Sequence, residues 1–345
     1  MFRNKYNFFS KFIHKLALSN NVVKDAAFDI EKFLLRNKKK PKNNQKNIFI
    51  TGLARSGTTI LNKFLYETGL FASLTYRDMP FVLSPNIWNF FTKNFYKQSK
   101  NIKRAHSDRI EINYDSPENF DEVFFKTKLS NSYISKNNLT EHVLNDEIIS
   151  EFQIYVSNIL LKNKKDYYLS KNNNNILRIE SLSKAFPNSS FIVLFRDPIE
   201  QSNSLLTQHK NFIKLQTEDA FNLDYMNYLA HYEFGKNQKK FRFHANDLEN
   251  NFDKLDICYW LSQWINVYGY LLDISNKYQN IHLINYEKLC DDPINQLMPI
   301  VNQHKIPKNF INSFKLIKAK KKSLNISDTF LKNKSLNLYE KLINN

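Results

Sequence analysis

A short apolar run that passes into a glycine-bounded loop and then into a helical pattern constrains this chain more than any other feature. The run is Ile48–Ile50, the loop is bounded by Gly52 and Gly57, and apolar residues recur at helical spacing from Ile60. Glycines let the backbone curl until successive N–H groups converge on an anion, and the following helix adds its positive end. The whole chain of 345 residues has only 5 glycines, so two at this spacing favour function over accident. The feature predicts a phosphate-binding strand–loop–helix.

The cation of this loop stands in a different place from that of the nucleotide-binding loop of ATPases. In the ATPase pattern a Lys directly follows the second glycine. Here Thr58 occupies that position, and the cation is Arg55, inside the loop. The missing Lys weakens the case for metal-dependent phosphoryl transfer, in which Lys and Mg²⁺ neutralise the β and γ phosphates. The loop therefore predicts an anion cradle with an internal arginine.

A second strand–helix unit follows later in the chain. Ser190–Phe195 is an apolar run typical of a buried strand. Asp197–Glu200 fits a helix start, with Asp197 as N-cap and proline at the first helical position. Arg196 then lies at the carboxyl end of a strand, where ligands of open α/β sheets bind, and Ser204 lies about two turns into the helix. An arginine with a hydroxyl group suits a terminal phosphate; the alternative is that Arg196 pairs with a carboxylate.

The alternation of strands and helices indicates an α/β fold with a mainly parallel central sheet and helices on both faces. Further strands are predicted at Ile176–Ile179 and Ile281–Asn285, and residues 5–36 show the apolar spacing of one or two helices. We expect three parts: an N-terminal helical extension and linker at 1–45, an α/β domain at 46–300 with a helical insertion at about 71–170, and a basic helical tail at 301–345.

Charge and cysteine content limit the other classes of protein. The net charge of +17 favours an anionic partner, but the lysines form no long stripe of the kind that binds nucleic acid. Cys258 and Cys290 make neither a metal cluster nor a disulfide framework, so a reducing, cytoplasmic compartment is expected. No apolar run of membrane-spanning length occurs. Weak peripheral membrane contact is an alternative use of the N-terminal helix, which carries Lys beside Phe and Leu.

The string F-I-T-G-L-A-R-S-G-T-T-I-L, which begins at Phe49, resembles the 5′-phosphosulfate loop of sulfotransferases. The strand that ends in Arg196, with Ser204 eight residues on, resembles that family's second signature. Cytosolic members have Lys at the position of Arg55, whereas bacterial and tyrosylprotein branches commonly carry Arg. Weaker similarity runs from about Asn47 to Pro293. The resemblance implies a P-loop sulfotransferase fold and the donor 3′-phosphoadenosine-5′-phosphosulfate (PAPS), with no metal expected.

The resemblance also implies roles for individual residues. Arg196 and Ser204 are expected to bind the 3′-phosphate of the donor. Lys171 stands near the Lys of the cytosolic Lys-x-His pattern, so it is expected to contact the sulfate; the alternative is a plain loop lysine. The loop is expected to bind the 5′-phosphosulfate and to stabilise the negative charge that builds on its bridging oxygen. The loop residues concerned are Arg55, Ser56, Gly57, Thr58 and Thr59.

The sequence offers two candidates for the base that takes the acceptor's proton. Asn173 stands where the cytosolic pattern has its His, and an amide cannot act as a base. Branches that resemble the tyrosylprotein and heparan enzymes carry a carboxylate some twenty residues after the loop, which makes Asp78 the first candidate, against an ordinary turn residue. His106 is the second, since its pKa suits proton transfer, against a structural histidine. Three further acids are expected to face solvent or the acceptor: Glu118, Asp121 and Glu122.

The predicted activity is in-line sulfuryl transfer to a hydroxyl or amine of a carbohydrate, lipid, peptide or small alcohol. Two other interpretations stay open. A P-loop kinase with a displaced cation would require a metal ion. A basic module for nucleic acid or another anionic polymer would bind in a salt-sensitive way, and it leaves the Arg196–Ser204 pair unexplained.

Overall fold

The structure is a computed structural model that describes residues 7–39, 46–95, 101–103, 110–243, 252–314, 316 and 326–345. Its helices are α1 (Phe8–Leu18), α2 (Asn21–Leu34), α3 (Thr58–Glu67), α4 (Pro85–Thr92), α5 (Glu122–Lys128), α6 (Asp146–Asn163), α7 (Ile179–Ala185), α8 (Pro198–Glu218), α9 (Phe221–Tyr228), α10 (Ile257–Ser275), α11 (Tyr286–Asp291), α12 (Pro293–His304), α13 (Lys308–Asn312) and α14 (Thr329–Asn344). Its strands are β1 (Ile48–Thr51), β2 (Phe71–Ala72), β3 (Ile102–Lys103), β4 (Glu111–Ile112), β5 (Asn138–Thr140), β6 (Tyr167–Lys171), β7 (Ser190–Phe195), β8 (Lys240–Arg242) and β9 (Ile281–Asn285). Short 3-10 helices cover Tyr76–Asp78, Lys93–Phe95 and Asn173–Arg178.

A parallel sheet forms the centre of the molecule. Within the described ranges it has five strands in the order β2-β6-β1-β7-β9. Strand β1 lies in the middle, with Ile50 opposite Lys171 of β6 on one side and Ile192 of β7 on the other. Because all five strands run the same way, the segments that follow them meet at one edge of the sheet. The predicted mainly parallel sheet is confirmed.

Alternating side chains of the central strands enter two separate hydrophobic cores. On one face the rings of Phe49 and Phe191 stack with their centroids 4.8 Å apart, in the core that includes residues of α6, α7, α8 and α10. On the other face Ile50 and Ile192 pack with residues of α3 and α12. All four side chains are fully buried. Helices therefore cover both faces, as predicted.

The second strand–helix unit confirms its sequence signals. Strand β7 covers the predicted residues and passes into α8. The N-cap is Asp197, whose Oδ1 accepts hydrogen bonds from the N–H groups of Ile199 and Glu200, both at 3.0 Å. The cap satisfies donors that the first helical turn leaves unpaired, and it fixes the point where the chain leaves the sheet. Strand β9 also has its predicted limits.

The predicted strand at Ile176–Ile179 is wrong. Its residues carry the 3-10 helix that follows β6 into α7, and the strand of this region is β6 itself. The side chain of Asn172 accepts a hydrogen bond from the N–H group of Asn174 (2.9 Å), which begins the helical turn directly after the strand. Four apolar-rich residues do not distinguish a strand from a buried helical turn.

Helices α1 and α2 confirm the helical prediction for the N-terminal segment. On α1, His14 is buried, and its ring centroid lies 6.3 Å from that of Phe221 in α9. The outward side of α1 exposes apolar side chains: Phe8, Phe9, Phe12 and Leu16. Membrane contact through this helix stays a prediction. Among the described residues no helix combines the length and the apolar character that crossing a bilayer requires.

Candidate functional site

The loop between β1 and α3 lies in the middle of the sheet's carboxyl edge, and its backbone demands glycine at two points. Gly52 has a φ of 136°, and an added Cβ would lie 2.4 Å from the carbonyl oxygen of Leu194. Gly57 has a φ of 101°, and an added Cβ would lie 2.5 Å from the ring of Tyr286. A side chain at either position would collide with its neighbour, so the glycines hold the curled backbone that a phosphate cradle requires.

The hydroxyl residues of the loop stand at the start of α3. Thr58 and Thr59 are the first two residues of this helix; Thr58 is buried and Thr59 is partly exposed. Ser56 is buried inside the loop. The first turn of an α-helix has unpaired N–H groups and a partial positive charge. The loop and helix together therefore have the arrangement that binds anions in many proteins.

Arg55 connects this loop to the second sequence motif. Its Nε donates a hydrogen bond to Oγ of Ser204 on α8, at 3.1 Å and 149 residues away in sequence. The φ of Arg55 is 71°, in the left-handed region that residues other than glycine rarely adopt. Such a conformation costs about 1–3 kcal/mol and is concentrated at functional sites. The structure thus brings Arg55 and Ser204 into one site.

Gln201 of α8 holds the loop in place. Its Nε2 donates hydrogen bonds to the carbonyl oxygens of Leu53 (3.3 Å) and Ala54 (3.1 Å), and its Oε1 accepts one from the indole of Trp264 (3.0 Å). The side chain is fully buried. Gln201 was not predicted from the sequence, although it lies three residues before Ser204 and therefore on the same side of the helix.

Arg196 leaves the end of β7 between two carboxylates. Its Nε lies 3.5 Å from Oε1 of Glu287, and its Nη2 lies 4.0 Å from Oε2 of Glu200. The alternative in which Arg196 pairs with a carboxylate matches these contacts. Both distances are longer than a charge-assisted hydrogen bond, and within the described part of the chain Nε is buried without a hydrogen-bond partner. Such a guanidinium suits an anionic ligand, and its binding of the 3′-phosphate stays a prediction.

Lys171 ends β6, the strand beside β1, and pairs with Glu118. The distance from Nζ of Lys171 to Oε1 of Glu118 is 3.3 Å, and only 9% and 8% of the two side chains are exposed. The other carboxylate oxygen of Glu118 accepts a hydrogen bond from the hydroxyl of Tyr76 (3.1 Å). A largely buried carboxylate therefore stands beside a lysine at the same edge as the loop.

The acids next in sequence have a structural role, so the expectation that Asp121 and Glu122 face solvent or the acceptor is wrong. Both are buried. Glu122 accepts two hydrogen bonds from Arg178, both at 2.9 Å, and one from Nδ2 of Asn172 at 2.8 Å. Burial opposes its ionisation, but Arg178 outweighs burial and lowers the pKa of Glu122. Burial raises the pKa of Asp121 to about 6. These bonds fix the segment that follows Lys171.

Asp78 lies in the 3-10 turn after β2, with 1% of its surface exposed. Its Oδ2 accepts a hydrogen bond from the N–H group of Thr75 (2.8 Å), and its Oδ1 pairs with Nζ of Lys162 on α6. Both oxygens therefore have partners within the fold. The role of Asp78 as a base stays a prediction. His106 lies outside the described residues, and its role stays a prediction too.

Comparisons with known proteins concern the family and the fold of the chain. A protein-family model described as the sulfotransferase family matches residues 47–244, more than half of the chain. The solved structure of sulfotransferase STF9 from Mycobacterium avium aligns with 89% of this chain and 76% of its own, at 13% identity and a TM-score of 0.52, and is similar in fold. Sulfotransferase STF1 from Mycobacterium tuberculosis H37Rv aligns with 89% of this chain and 81% of its own, at 10% identity and a TM-score of 0.49. None of the curated proteins searched matches the chain.

Proposed function

Because this chain belongs to the sulfotransferase family, we propose that it transfers a sulfuryl group from PAPS to a hydroxyl or amine of an acceptor. The observation that carries the proposal is the hydrogen bond between Arg55 and Ser204. It joins the loop expected to hold the 5′-phosphosulfate to the motif expected to hold the 3′-phosphate. A nucleotide with phosphates at both positions is the ligand that would engage the two together.

The residues present fit such a donor. The curled loop and the start of α3 offer N–H groups and positive charge to the phosphosulfate. Arg196, with a buried Nε that has no hydrogen-bond partner among the described residues, would hold the 3′-phosphate together with Ser204. Lys171 would approach the sulfate from the neighbouring strand.

The proposed step is an in-line displacement at sulfur. The acceptor oxygen or nitrogen forms a bond to sulfur while the bond between sulfur and the bridging oxygen breaks, and adenosine 3′,5′-bisphosphate leaves. Negative charge builds on that oxygen, where Arg55 and the N–H groups at the start of α3 would stabilise it. The proton of the acceptor passes to a base within hydrogen-bond reach.

We propose Glu118 as that base. It contacts Lys171 at the sheet edge, and 8% of its side chain is exposed. Asp78, the first candidate from sequence, is more deeply buried, with 1% of its side chain exposed. An acid that must receive a proton from an acceptor needs access to it, which favours Glu118 over Asp78. His106 remains a further candidate.

A labelled-donor assay tests the function. The protein is incubated with ³⁵S-labelled PAPS and a panel of carbohydrate, lipid, peptide and small-alcohol acceptors in the presence of EDTA. We expect label to reach an acceptor with the wild type and not with the Arg55→Ala variant. A parallel assay replaces PAPS with γ-labelled ATP and EDTA with Mg²⁺. Transfer of phosphate there, without sulfate transfer from PAPS, would instead establish the kinase alternative.

A further inference from the structure

A cavity of about 610 Å³ lies where the end of α1 and the start of α2 meet α5 and the segment after α9. Its wall carries two lysines, Lys24 and Lys126, together with two tyrosines and three asparagines. The described residues that line it include no Asp or Glu. They also include none of the residues assigned to the donor, so the cavity is a separate feature.

Lys24 is the unusual member of this wall. Only 3% of its surface is exposed, and within the described ranges its ammonium group has neither a hydrogen bond nor an ion pair. Burial lowers the pKa of Lys24 to about 8. A buried cation without a partner is costly, and proteins as a rule pair such a group or bind a counter-charge to it.

Lys126 brings a second cation to the same cavity. Its Nζ donates a hydrogen bond to the carbonyl oxygen of Asn227, a neutral partner. Burial, followed by the positive charge of Lys24, lowers the pKa of Lys126 to about 8. The positive charge of each lysine disfavours the charged form of the other. An anion bound between them would stabilise the charged form of both.

The rest of the wall suits an organic molecule that carries the anion. Asn20 and Asn21 also line the cavity at the start of α2, the positive end of a 14-residue helix. Tyr228 and Tyr232 offer rings and hydroxyl groups. The volume lies within the range of about 300–1,000 Å³ typical of small-molecule sites and exceeds the space that one inorganic ion fills.

We propose that this cavity binds a small organic anion, whose phosphate, sulfate or carboxylate group is held by Lys24 and Lys126.

The test is a calorimetric titration at low salt and pH 7 with phenyl phosphate as the probe, on the full chain. We expect the wild type to bind, and Lys24→Met and Lys126→Met each to weaken binding by at least tenfold, because methionine keeps the apolar stem and removes the charge. The matched control is Lys15→Met, which removes an exposed lysine of α1 and should bind like the wild type.

The Arg55→Ala variant separates this cavity from the donor site. Binding of phenyl phosphate that persists in Arg55→Ala and is lost in Lys24→Met supports the proposal, whatever the variants do with the nucleotide. Wild-type affinity in Lys24→Met and Lys126→Met, loss of binding in Arg55→Ala alone, or no binding to the wild type would each overturn it. Thermal unfolding of each variant shows that the protein is folded; removal of a buried unpaired charge should not lower its stability.

Discussion

The guanidinium group of Arg55 donates a hydrogen bond to the hydroxyl group of Ser204, with 3.1 Å between Nε and Oγ. Arg55 lies in the loop after β1, and Ser204 lies in the helix after β7, the neighbouring strand. The contact therefore depends on the parallel order of the sheet, which places both segments at one edge. It brings the two separate sequence motifs into contact at that edge.

Ser204→Ala should weaken binding of adenosine 3′,5′-bisphosphate about 10- to 100-fold. Hydrogen bonds to charged groups contribute about 1.5–3 kcal/mol, and Ser204 is expected to contact both Arg55 and the 3′-phosphate. Calorimetric titration measures the change. The control is Thr207→Ala, which removes an exposed hydroxyl from the same helix and should bind normally. Equal weakening in both variants would trace the effect to α8 as a whole.

Glu118→Gln should lower the rate of sulfuryl transfer by about 10²- to 10⁴-fold, the usual contribution of a general base. The amide keeps the size of the side chain, so the dissociation constant of adenosine 3′,5′-bisphosphate should stay nearly unchanged. Steady-state kinetics with labelled PAPS and calorimetry with the bisphosphate provide the two numbers.

Asp78→Asn is the matched comparison for Glu118→Gln. It should lower the melting temperature, because Lys162 loses its buried partner, while the transfer rate of the folded protein stays within a few-fold of wild type. If Asp78→Asn abolishes transfer and Glu118→Gln leaves it intact, the base is Asp78 as the sequence first suggested.

Arg178→Met should lower the free energy of unfolding by about 3–5 kcal/mol, because it leaves a buried carboxylate without its cation. Both Arg178 and Glu122 have fully buried side chains. Urea unfolding measures the loss. The exposed pair of Lys184 and Glu180 is the control, and Lys184→Met should leave the stability nearly unchanged, because solvent screens that pair. Equal effects would mean that burial of the pair does not matter.

Lys24→Met should raise the melting temperature, and the gain should depend on pH. The pKa of Lys24 falls from 10.5 to about 8 on folding. Between these pH values the unfolded chain binds more protons at this site than the folded protein, so the wild type becomes more stable as pH rises. The advantage of the methionine variant should therefore be full below pH 8 and shrink towards pH 10. A difference that does not change with pH from 7 to 10 would contradict the assignment.

Local signals in the sequence predicted the central part of the fold well. The limits of β7 and β9 and the N-cap at Asp197 follow from apolar runs and capping residues that act within a few positions. The apolar run at Ile176–Ile179 also predicts a strand, but here the local pattern does not decide the structure. Its outcome depends on Asn172, which caps a helical turn, and on a distant partner for Arg178.

Some features of the candidate site could likewise be predicted from the sequence, and others could not. The loop glycines and Arg55 could be predicted because the motif that holds them is contiguous. The pairing of Glu118 with Lys171, 53 residues apart, could not, because it depends on where the segment after β4 crosses the sheet edge. The role of Gln201 could not be predicted, because nothing in its local sequence shows that it holds a loop 147 residues earlier.

Calorimetric titration of the wild type with adenosine 3′,5′-bisphosphate, and separately with adenosine 5′-monophosphate, measures whether the protein binds a nucleotide through both phosphates. The two ligands differ only in the 3′-phosphate, the group assigned to Arg196 and Ser204. We expect saturable binding of the bisphosphate without added metal, and binding of the monophosphate weaker by at least tenfold. No binding of the bisphosphate at millimolar concentration, or equal affinity for the two nucleotides, would contradict it.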